Sequence, residues 1–235
     1  DGEGPDDELE IPNGKILKKT YVGKNMKNYD SCLVLSHFKG HGSGGYGGAL
    51  KQLSIGFGST AGKVLQHNGG QSTDTNDFRS KKCGAKEFKE TMADAASAVV
   101  KSFKGNMAFI NMMVNISLDC DCDGNARHPI MADIGILSST DPVALDKACL
   151  DLVYNSNDEG KDALSNRIEE LYGSHIIECS VELGTGNQDY ELIYDEEVKG
   201  AVYCDPRFPH LRAFKNYGFY KIKDYMCLIM GGAYS

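Results

Sequence analysis

Short apolar runs alternate along this chain with stretches in which apolar residues recur at helical spacing. The runs at residues 32–35, 107–116 and 134–137 have the length and composition of buried strands. Because strands that alternate with helices form a parallel or mixed sheet, we predict an α/β fold with a mixed or largely parallel sheet flanked by helices. The clearest helix ends at Gly105, and its apolar face is Phe88, Met92, Ala95, Ala96, Val99 and Phe103.

The second half of the chain continues this alternation. Asp141 followed by Pro142 predicts the N-cap and the first residue of a helix whose apolar face reaches Leu152. Glycines then mark the ends of later helices, because they adopt the left-handed conformation that closes a helix. The further predicted elements are a strand at 16–22, helices at 164–171 and 174–183 closed by Gly173 and Gly184, and a strand at 190–194.

Length, charge and cysteine content narrow the class of protein. With 235 residues, the chain can form a single α/β domain over residues 1–235, of which the acidic residues 1–10 are expected to be flexible. A formal net charge of −8 argues against a nucleic-acid partner, and no apolar run is long enough to span a membrane. The eight cysteines are scattered, which favours reduced thiols and a cytoplasmic protein over a disulfide framework.

A glycine-rich segment, residues 36–63, follows the first buried run. Glycine lets the backbone come close to a ligand, and ligands of α/β sheets bind at the carboxyl ends of strands. We interpret the segment as a loop that binds a small anionic ligand, because backbone N–H groups together with lysines bind phosphate or carboxylate. Close packing of a turn against the sheet is the alternative. The predicted anion-binding residues are Lys39, Gly44, Gly45, Gly47, Gly48 and Lys51.

Two donor-rich segments predict a metal site. His37 and His41 lie in the glycine-rich segment, and Cys120 and Cys122 follow the run at 107–116. Cysteines two apart on an extended strand point to the same face, and thiolate with imidazole donors favours a transition metal ion or an iron–sulfur cluster. The alternatives are that the histidines cap a turn and that the cysteines are incidental thiols in an acidic loop. The predicted auxiliary metal ligands are Asp121 and Asp133.

The predicted sheet brings these two segments together. If the runs 32–35 and 107–116 are neighbouring parallel strands, the segments that follow them leave the same edge of the sheet. One histidine would then share a metal with Cys120 or Cys122. We therefore favour a metal-binding or iron–sulfur-associated protein, redox active on a small anionic substrate. The alternative is a metal-free binding protein or enzyme for a phosphorylated or carboxylated metabolite.

Four blocks in one order resemble the domain of unknown function 362 family. The resemblance covers residues 11–194 and implies a shared core in which His37, His41, Cys120 and Cys122 match the family's histidine and cysteine blocks. Several members carry a fused ferredoxin-type iron–sulfur module, whereas this chain has no Cys-x-x-Cys run and lacks that module. The resemblance implies no settled activity. The blocks are LVLSHFKGHGSGGYGGALKQLSIGFGSTAGK, NISLDCDCDG, DIGILSSTDPVALDKACLDLVY and IEELYGSHIIECSVELGTGNQDYELI.

The end of the chain departs from the pattern of that family. The segment 200–235 contains a predicted helix and strand at 207–230, which the family usually places before the acidic stretch that opens this chain. We interpret the chain as permuted or truncated. If it is permuted, residues 1 and 235 should be close in space.

Overall fold

The structure is a computed structural model that describes residues 6–120, 122, 128–194 and 219–221. In chain order, its strands are β1 (Asp6–Glu10), β2 (Lys19–Gly23), β3 (Cys32–His37), β4 (Lys39–His41), β5 (Gly45–Gly47), β6 (Met107–Met113), β7 (Gly135–Ser139), β8 (Ile193–Tyr194) and β9 (Phe219–Lys221). Its helices are α1 (Ala49–Lys51), α2 (Thr60–His67), α3 (Asp77–Ser80), α4 (Ala85–Ser102), α5 (Pro142–Tyr154), α6 (Lys161–Glu170) and α7 (His175–Glu182). A 3-10 turn spans Lys24–Asn28, and α1 continues as a π-helical turn, Gln52–Gly56. In the described part of the chain, no helix has the length and apolar character needed to cross a membrane.

The central sheet has five strands in the order β3–β6–β7–β9–β8. β3 is parallel to β6 and β7 is parallel to β9, whereas β6 is antiparallel to β7 and β8 is antiparallel to β9. Every second residue of β6 is buried, since alternate side chains of a strand point to opposite faces of the sheet. Helix α5 packs against β6 and β7, and α1 contacts β3. The predicted α/β fold with a mixed sheet flanked by helices is confirmed.

Helix α4 has the apolar face that its sequence spacing predicts. Phe88, Met92 and Val99 are each at most 5% exposed and belong to the main core. At the start of the helix, Glu87 Oε2 accepts a hydrogen bond from Gly84 N at 2.8 Å, which satisfies a donor that has no partner within the helix. Helix α7 packs against α4.

Parts of both chain ends belong to sheets. Residues 6–10 of the acidic stretch form β1, which pairs with β2, and Lys19 Nζ lies 2.7 Å from Glu8 Oε2 across this pair. Near the other end, Phe219–Lys221 form β9 between β7 and β8. The rest of the predicted helix and strand in the segment 200–235 lies outside the described residues, as do residues 1 and 235.

The glycine-rich segment is not the loop that its composition predicts. Residues 36–63 contain the hairpin β4–β5, helix α1 with its π-helical turn, and the start of α2. Close packing explains two of its glycines: a Cβ on Gly62 would lie 2.0 Å from Tyr21 O, and a Cβ on Gly40 would lie 2.1 Å from Leu118 O. Composition does not separate a ligand-binding loop from closely packed turns, because both need residues without a Cβ.

A buried carboxylate connects α5 to the sheet and to the segment that follows the hairpin. Asp146 is fully buried and accepts hydrogen bonds from Ala49 N at 2.8 Å and Leu50 N at 3.0 Å, at the start of α1. It also accepts from Tyr46 Oη at 3.1 Å and from Asn111 Nδ2 at 2.7 Å. Burial raises the pKa of Asp146, and these four donors oppose the rise. The carboxylate thus caps α1, whose preceding residue is a glycine without a side chain.

Asp141 caps α5 as the sequence predicts. Its Oδ1 accepts hydrogen bonds from Val143 N at 2.8 Å and Ala144 N at 3.1 Å, and Pro142 starts the helix. Its Oδ2 accepts from Asn187 N at 2.7 Å. The same carboxylate therefore also holds the segment that follows α7.

Replacing Asp146 with asparagine should destabilise the protein by about 1–3 kcal/mol, the cost of leaving a buried hydrogen-bonding group without a partner. An amide keeps one acceptor oxygen but turns an NH₂ group toward N–H donors, so buried donors lose their partner. Urea denaturation measures the change in the free energy of unfolding. The control is Asp162→Asn on α6, where the side chain is 85% exposed and the change should stay below about 0.5 kcal/mol. Equal effects of the two substitutions would contradict the role assigned to Asp146.

We expect Asp141→Ala to lower the free energy of unfolding by about 1–2 kcal/mol, because the first turn of α5 loses its acceptor. Asp141→Asn should cost less, since asparagine is an equally good N-cap and the Asn187 N–H that loses its acceptor is exposed to solvent. Thermal and urea denaturation of both variants measure the difference. If asparagine were as costly as alanine, helix capping would not be what this position contributes.

Candidate functional site

The parallel pairing of β3 and β6 brings two distant segments together. β3 ends at His37 and β6 ends at Met113, and the two strands run in the same direction. The hairpin β4–β5 follows β3, and the cysteine-containing segment follows β6. Gly40 N donates a hydrogen bond to Ser117 O at 2.8 Å, so the hairpin lies directly against that segment. The two segments leave the same edge of the sheet, as the sequence predicts for parallel neighbours.

Three metal-ligating side chains converge between these segments. One ring nitrogen of His41 and the sulfurs of Cys120 and Cys122 all lie within 4.8 Å of one another. Cys120 is buried, His41 is partly buried and Cys122 is exposed, so the group is open to solvent on one side. Cys122 lies in a turn, and its N–H donates to Cys120 Sγ at 3.5 Å. This turn, rather than the alternation of an extended strand, places the two sulfurs side by side.

The hairpin turn fixes the ring of His41. Nδ1 accepts hydrogen bonds from Gly44 N at 2.8 Å and Ser43 N at 3.2 Å, and Lys89 Nζ donates to Ser43 O at 2.6 Å, which ties the turn to α4. Burial, followed by the positive charge of Lys51 and other nearby cations, lowers the pKa of His41 to about 3. The ring is therefore neutral near pH 7. Because Nδ1 accepts, its proton lies on Nε2.

The two cysteines of the group differ in acidity. Burial opposes the ionisation of Cys120, but hydrogen bonds from Cys122 and the positive charges of Lys51 and Lys39 outweigh it and lower its pKa. Lys51 Nζ lies 3.9 Å from Cys120 Sγ. Burial and the adjacent Cys120 sulfur raise the pKa of Cys122. Cys120 is thus the more acidic thiol, and its thiolate is stabilised by its neighbours.

Two lysines from different elements border the same group. Lys39 lies on β4 and Lys51 ends α1. A Cβ on Gly47 would lie 3.7 Å from Lys39 Cε and 3.9 Å from Lys51 Cδ, so both side chains pass over this glycine. Their charges create a positive environment beside Cys120, of the kind that attracts an anion.

Two other predicted site residues, His37 and Asp133, form hydrogen bonds to the backbone of the segment after β6. His37 Nε2 is 2.7 Å from Val114 O, so His37 connects β3 to the segment after β6 and is not a member of the three-residue group. Asp133 accepts a hydrogen bond from Asn115 N at 2.5 Å and stabilises a residue whose φ is 52°. Asp121 lies outside the described residues.

Three of the glycines predicted to bind an anion are packed so closely that a Cβ would clash with neighbouring atoms. Gly47 has more room and lies next to the flexible side chains of Lys39 and Lys51. Packing is a sufficient reason for glycine at those three positions, and at Gly45 a φ of 85° adds a conformational reason. A Cβ would meet Tyr46 O at 2.9 Å from Gly44, Gly173 Cα at 2.8 Å from Gly45, and Asp146 Oδ1 at 2.6 Å from Gly48.

A second group of ligating side chains, not predicted from the sequence, is formed by Glu90, His175 and Cys179. The signal available for it is the spacing of His175 and Cys179, which are four residues apart on a predicted helix and therefore share a face. Glu90 is 85 positions away from His175 in the chain. Only the packing of α4 against α7 brings Glu90 to the other two residues.

Fold and site together define an α/β protein with a candidate metal group at the edge of a mixed sheet. A family model described as Domain of unknown function (DUF362) matches residues 1–151. The chain therefore belongs to this family, as its sequence blocks indicate. The matched range includes His41, Cys120 and Cys122, whereas α6 and α7 follow it. Comparisons with curated proteins and with solved structures found no match.

The neutral state of His41 predicts a loss of stability in acid. Its pKa of about 3 in the folded protein lies below the ordinary value of 6.5. Between these two pH values, the unfolded chain therefore binds a proton at this residue that the folded chain does not. The free energy of unfolding should therefore fall as the pH drops below about 6.5, by about 1–2 kcal/mol at pH 5 from this residue. Urea denaturation at pH 7 and pH 5 should show a smaller loss for His41→Gln. Equal losses in the two proteins would contradict a neutral, buried ring.

Proposed function

We propose that the protein binds one transition metal ion through His41, Cys120 and Cys122 and uses it to bind a small anionic ligand. The observation that supports this is the convergence of the three ligand atoms within 4.8 Å, from two segments far apart in the chain. Zinc binds sulfur at about 2.3 Å and imidazole nitrogen at about 2.0 Å, so a contraction of about 1 Å closes the group around an ion. Three protein ligands leave a fourth coordination position for the anionic ligand.

The donor set suits a single ion better than an iron–sulfur cluster. Four cysteine thiolates usually hold such a cluster, whereas two cysteines and one histidine meet at this site among the residues that the structure describes. Two thiolates and one imidazole are instead a known donor set of zinc sites with three protein ligands. The iron–sulfur association that the family resemblance implies is therefore not part of the proposal.

The lysines explain why an anion would bind beside the ion. Lys51 Nζ lies 3.9 Å from Cys120 Sγ, where its positive charge favours the thiolate form of Cys120. When a divalent ion neutralises both thiolates, the Lys51 charge faces the ligand instead. A bound ion would polarise an oxygen of that ligand. The ligand class that fits this environment is a small phosphorylated or carboxylated metabolite, held by Lys39 and Lys51 beside Gly47.

The hydrogen bonds of His41 favour a second candidate, in which the same anions bind without a metal. Nδ1 accepts from Gly44 N and Ser43 N. A metal could bind at Nδ1, in which case it replaces the two N–H donors. It could instead bind at Nε2, in which case the ring proton moves to Nδ1 and the N–H groups of Ser43 and Gly44 lose their acceptor. A site that binds anions through lysines and backbone N–H groups leaves this turn unchanged. The two candidates differ in whether anion binding needs the ion.

Free thiols are a feature of both candidates. Thiols stay reduced in the cytoplasm, whereas disulfides form in oxidising compartments. This supports the proposal of a cytoplasmic protein. In the described part of the chain the free cysteines are Cys32, Cys83, Cys120, Cys122, Cys149 and Cys179.

Zinc titration in a His175→Ala background, which lacks a ligand of the second group, tests the metal site in protein purified with a chelator and without oxygen. Cys120→Ser and His41→Gln should each weaken zinc binding at least about tenfold, because even outer-shell partners of a metal contribute about 10–100-fold. Competition with a chromophoric chelator measures the Kd. The matched controls are His37→Gln, from the same segment, and Cys83→Ser, a partly buried thiol outside the group. Both controls should bind zinc like that background, and an equal loss in all four variants would contradict the proposed ligands.

Phosphate binding separates the two candidates. In the zinc-loaded protein, Lys51→Met should weaken the binding of inorganic phosphate about tenfold or more, which is the effect of losing one charge-assisted hydrogen bond. Calorimetric titration measures the affinity. If a chelator and the Cys120→Ser substitution both leave the phosphate affinity unchanged, the metal-free candidate is correct and the metal-dependent one is wrong.

A further inference from the structure

A second group of ligating side chains lies between α4 and α7, separate from the site of the proposed function. We propose that Glu90, His175 and Cys179 bind a divalent transition metal ion of the zinc type. One ligand atom from each residue lies within 4.8 Å of the other two. His175 Nε2 is 3.3 Å from Glu90 Oε1 and 3.4 Å from Cys179 Sγ.

The shorter carboxylate contact of the His175 ring is on the side that faces away from this group. Nδ1 is 2.8 Å from Glu178 Oε2 and Nε2 is 3.3 Å from Glu90 Oε1, so a neutral ring places its proton at the shorter contact, where the Glu178 carboxylate accepts it. In the neutral ring, Nε2 therefore presents a lone pair between Glu90 and Cys179. Metal-binding histidines almost always donate their other N–H to a carboxylate, a carbonyl or a water molecule. His175 has this arrangement before any ion binds, whereas the Nδ1 of His41 accepts.

Three atoms with lone pairs consequently meet, and Lys15 Nζ donates to one of them, Cys179 Sγ, at 3.6 Å. The Nε2 lone pair and the Glu90 carboxylate both accept, and the Cys179 thiol offers one weak S–H donor. The side chains of His175 and Glu90 are 20% and 25% exposed, and Cys179 is fully buried. A cation between the three atoms would contact each of them. With the Cys179 thiolate and the Glu90 carboxylate, a divalent ion would have no net charge left to bury.

Lys15 shows that this group already attracts a positive charge. Its Nζ lies 3.6 Å from Cys179 Sγ and 4.0 Å from Glu90 Oε1, but its closest carboxylate partner is Glu182, at 2.7 Å. Asp94 accepts the Lys15 N–H at 2.7 Å and so holds this residue against α4. A metal ion approaches its ligands to about 2.0–2.3 Å. It would therefore occupy the centre of the group and leave the ammonium group with Glu182.

The donor types and their placement select the ion. Imidazole, thiolate and carboxylate are all ligands of zinc, whereas calcium and magnesium take oxygen ligands. His175 and Cys179 share one face of α7, and Glu90 approaches from α4. An ion would therefore cross-link two packed helices. The exposed side of the group leaves a fourth coordination position for solvent.

Zinc titration of the Cys120→Ser/Cys122→Ser double variant tests this proposal independently of the first site, whose thiols it lacks. We expect one equivalent of zinc per chain in this background. His175→Ala and Glu90→Gln should each weaken binding at least about tenfold, and Glu178→Ala, which does not touch the ion, should weaken it about 10–100-fold. Lys15→Met should strengthen binding, because it removes a competing positive charge. With cobalt in place of zinc, Cys179→Ser should abolish the thiolate-to-cobalt absorption band.

Cys83→Ser in the same background is the matched control and should leave zinc binding unchanged. The proposal is overturned if the double variant binds no zinc, or if His175→Ala and Glu90→Gln bind zinc as tightly as that background. A Lys15→Met variant that is less stable and binds zinc no more tightly would identify the group as a salt-bridge cluster between helices. Because His175 and Glu90 are partly exposed, these variants remain informative even if Cys179→Ser fails to fold.

Discussion

The carboxylate of Asp146 holds together the elements on which the first site depends. From α5 it binds the first N–H groups of α1, the hydroxyl of Tyr46 on β5 and the amide of Asn111 on β6. A buried carboxylate without such donors is strongly disfavoured. The burial of Asp146 therefore depends on the four donors, and the donors depend on Asp146 as their acceptor. Because α1 carries Lys51, and β5 pairs with the strand that carries His41, this one side chain sets the lysine and the histidine relative to the sheet.

Secondary structure is predicted best where a single repeat or a specific end signal dominates the sequence. Helix α4 shows a helical repeat along its length, and Asp141 with Pro142 marks the start of α5. The glycine-rich segment is predicted wrongly as a loop, because glycine indicates that a Cβ is not tolerated and does not indicate what excludes it. At Gly62 the backbone of Tyr21 excludes it. That contact depends on the tertiary fold, which the local pattern does not encode.

Part of the first site follows from topology and part does not. Two apolar runs predicted to be neighbouring parallel strands do pair, which brings His41 to the two cysteines. His37 is the last residue of β3 and its Nε2 lies 2.7 Å from Val114 O, whereas His41 lies at the end of β4 beside the hairpin turn. The approach of Glu90 to His175 depends on how α4 packs against α7. Spacing within either helix does not contain that information.

The β4–β5 hairpin lies against α4, which carries Glu90, and against the residues just before α7, which carries His175 and Cys179. Lys89, which directly precedes Glu90 on α4, donates a hydrogen bond to Ser43 O at 2.6 Å. On the other side, a Cβ on Gly45 would lie 2.8 Å from the Cα of Gly173, two residues before α7 begins. Ligation of an ion by His41 would require this turn to rearrange, and its neighbours Lys89 and Gly173 lie directly against the hairpin. If both sites bind ions and this turn couples them, each ion would change the affinity of the other site by the same factor.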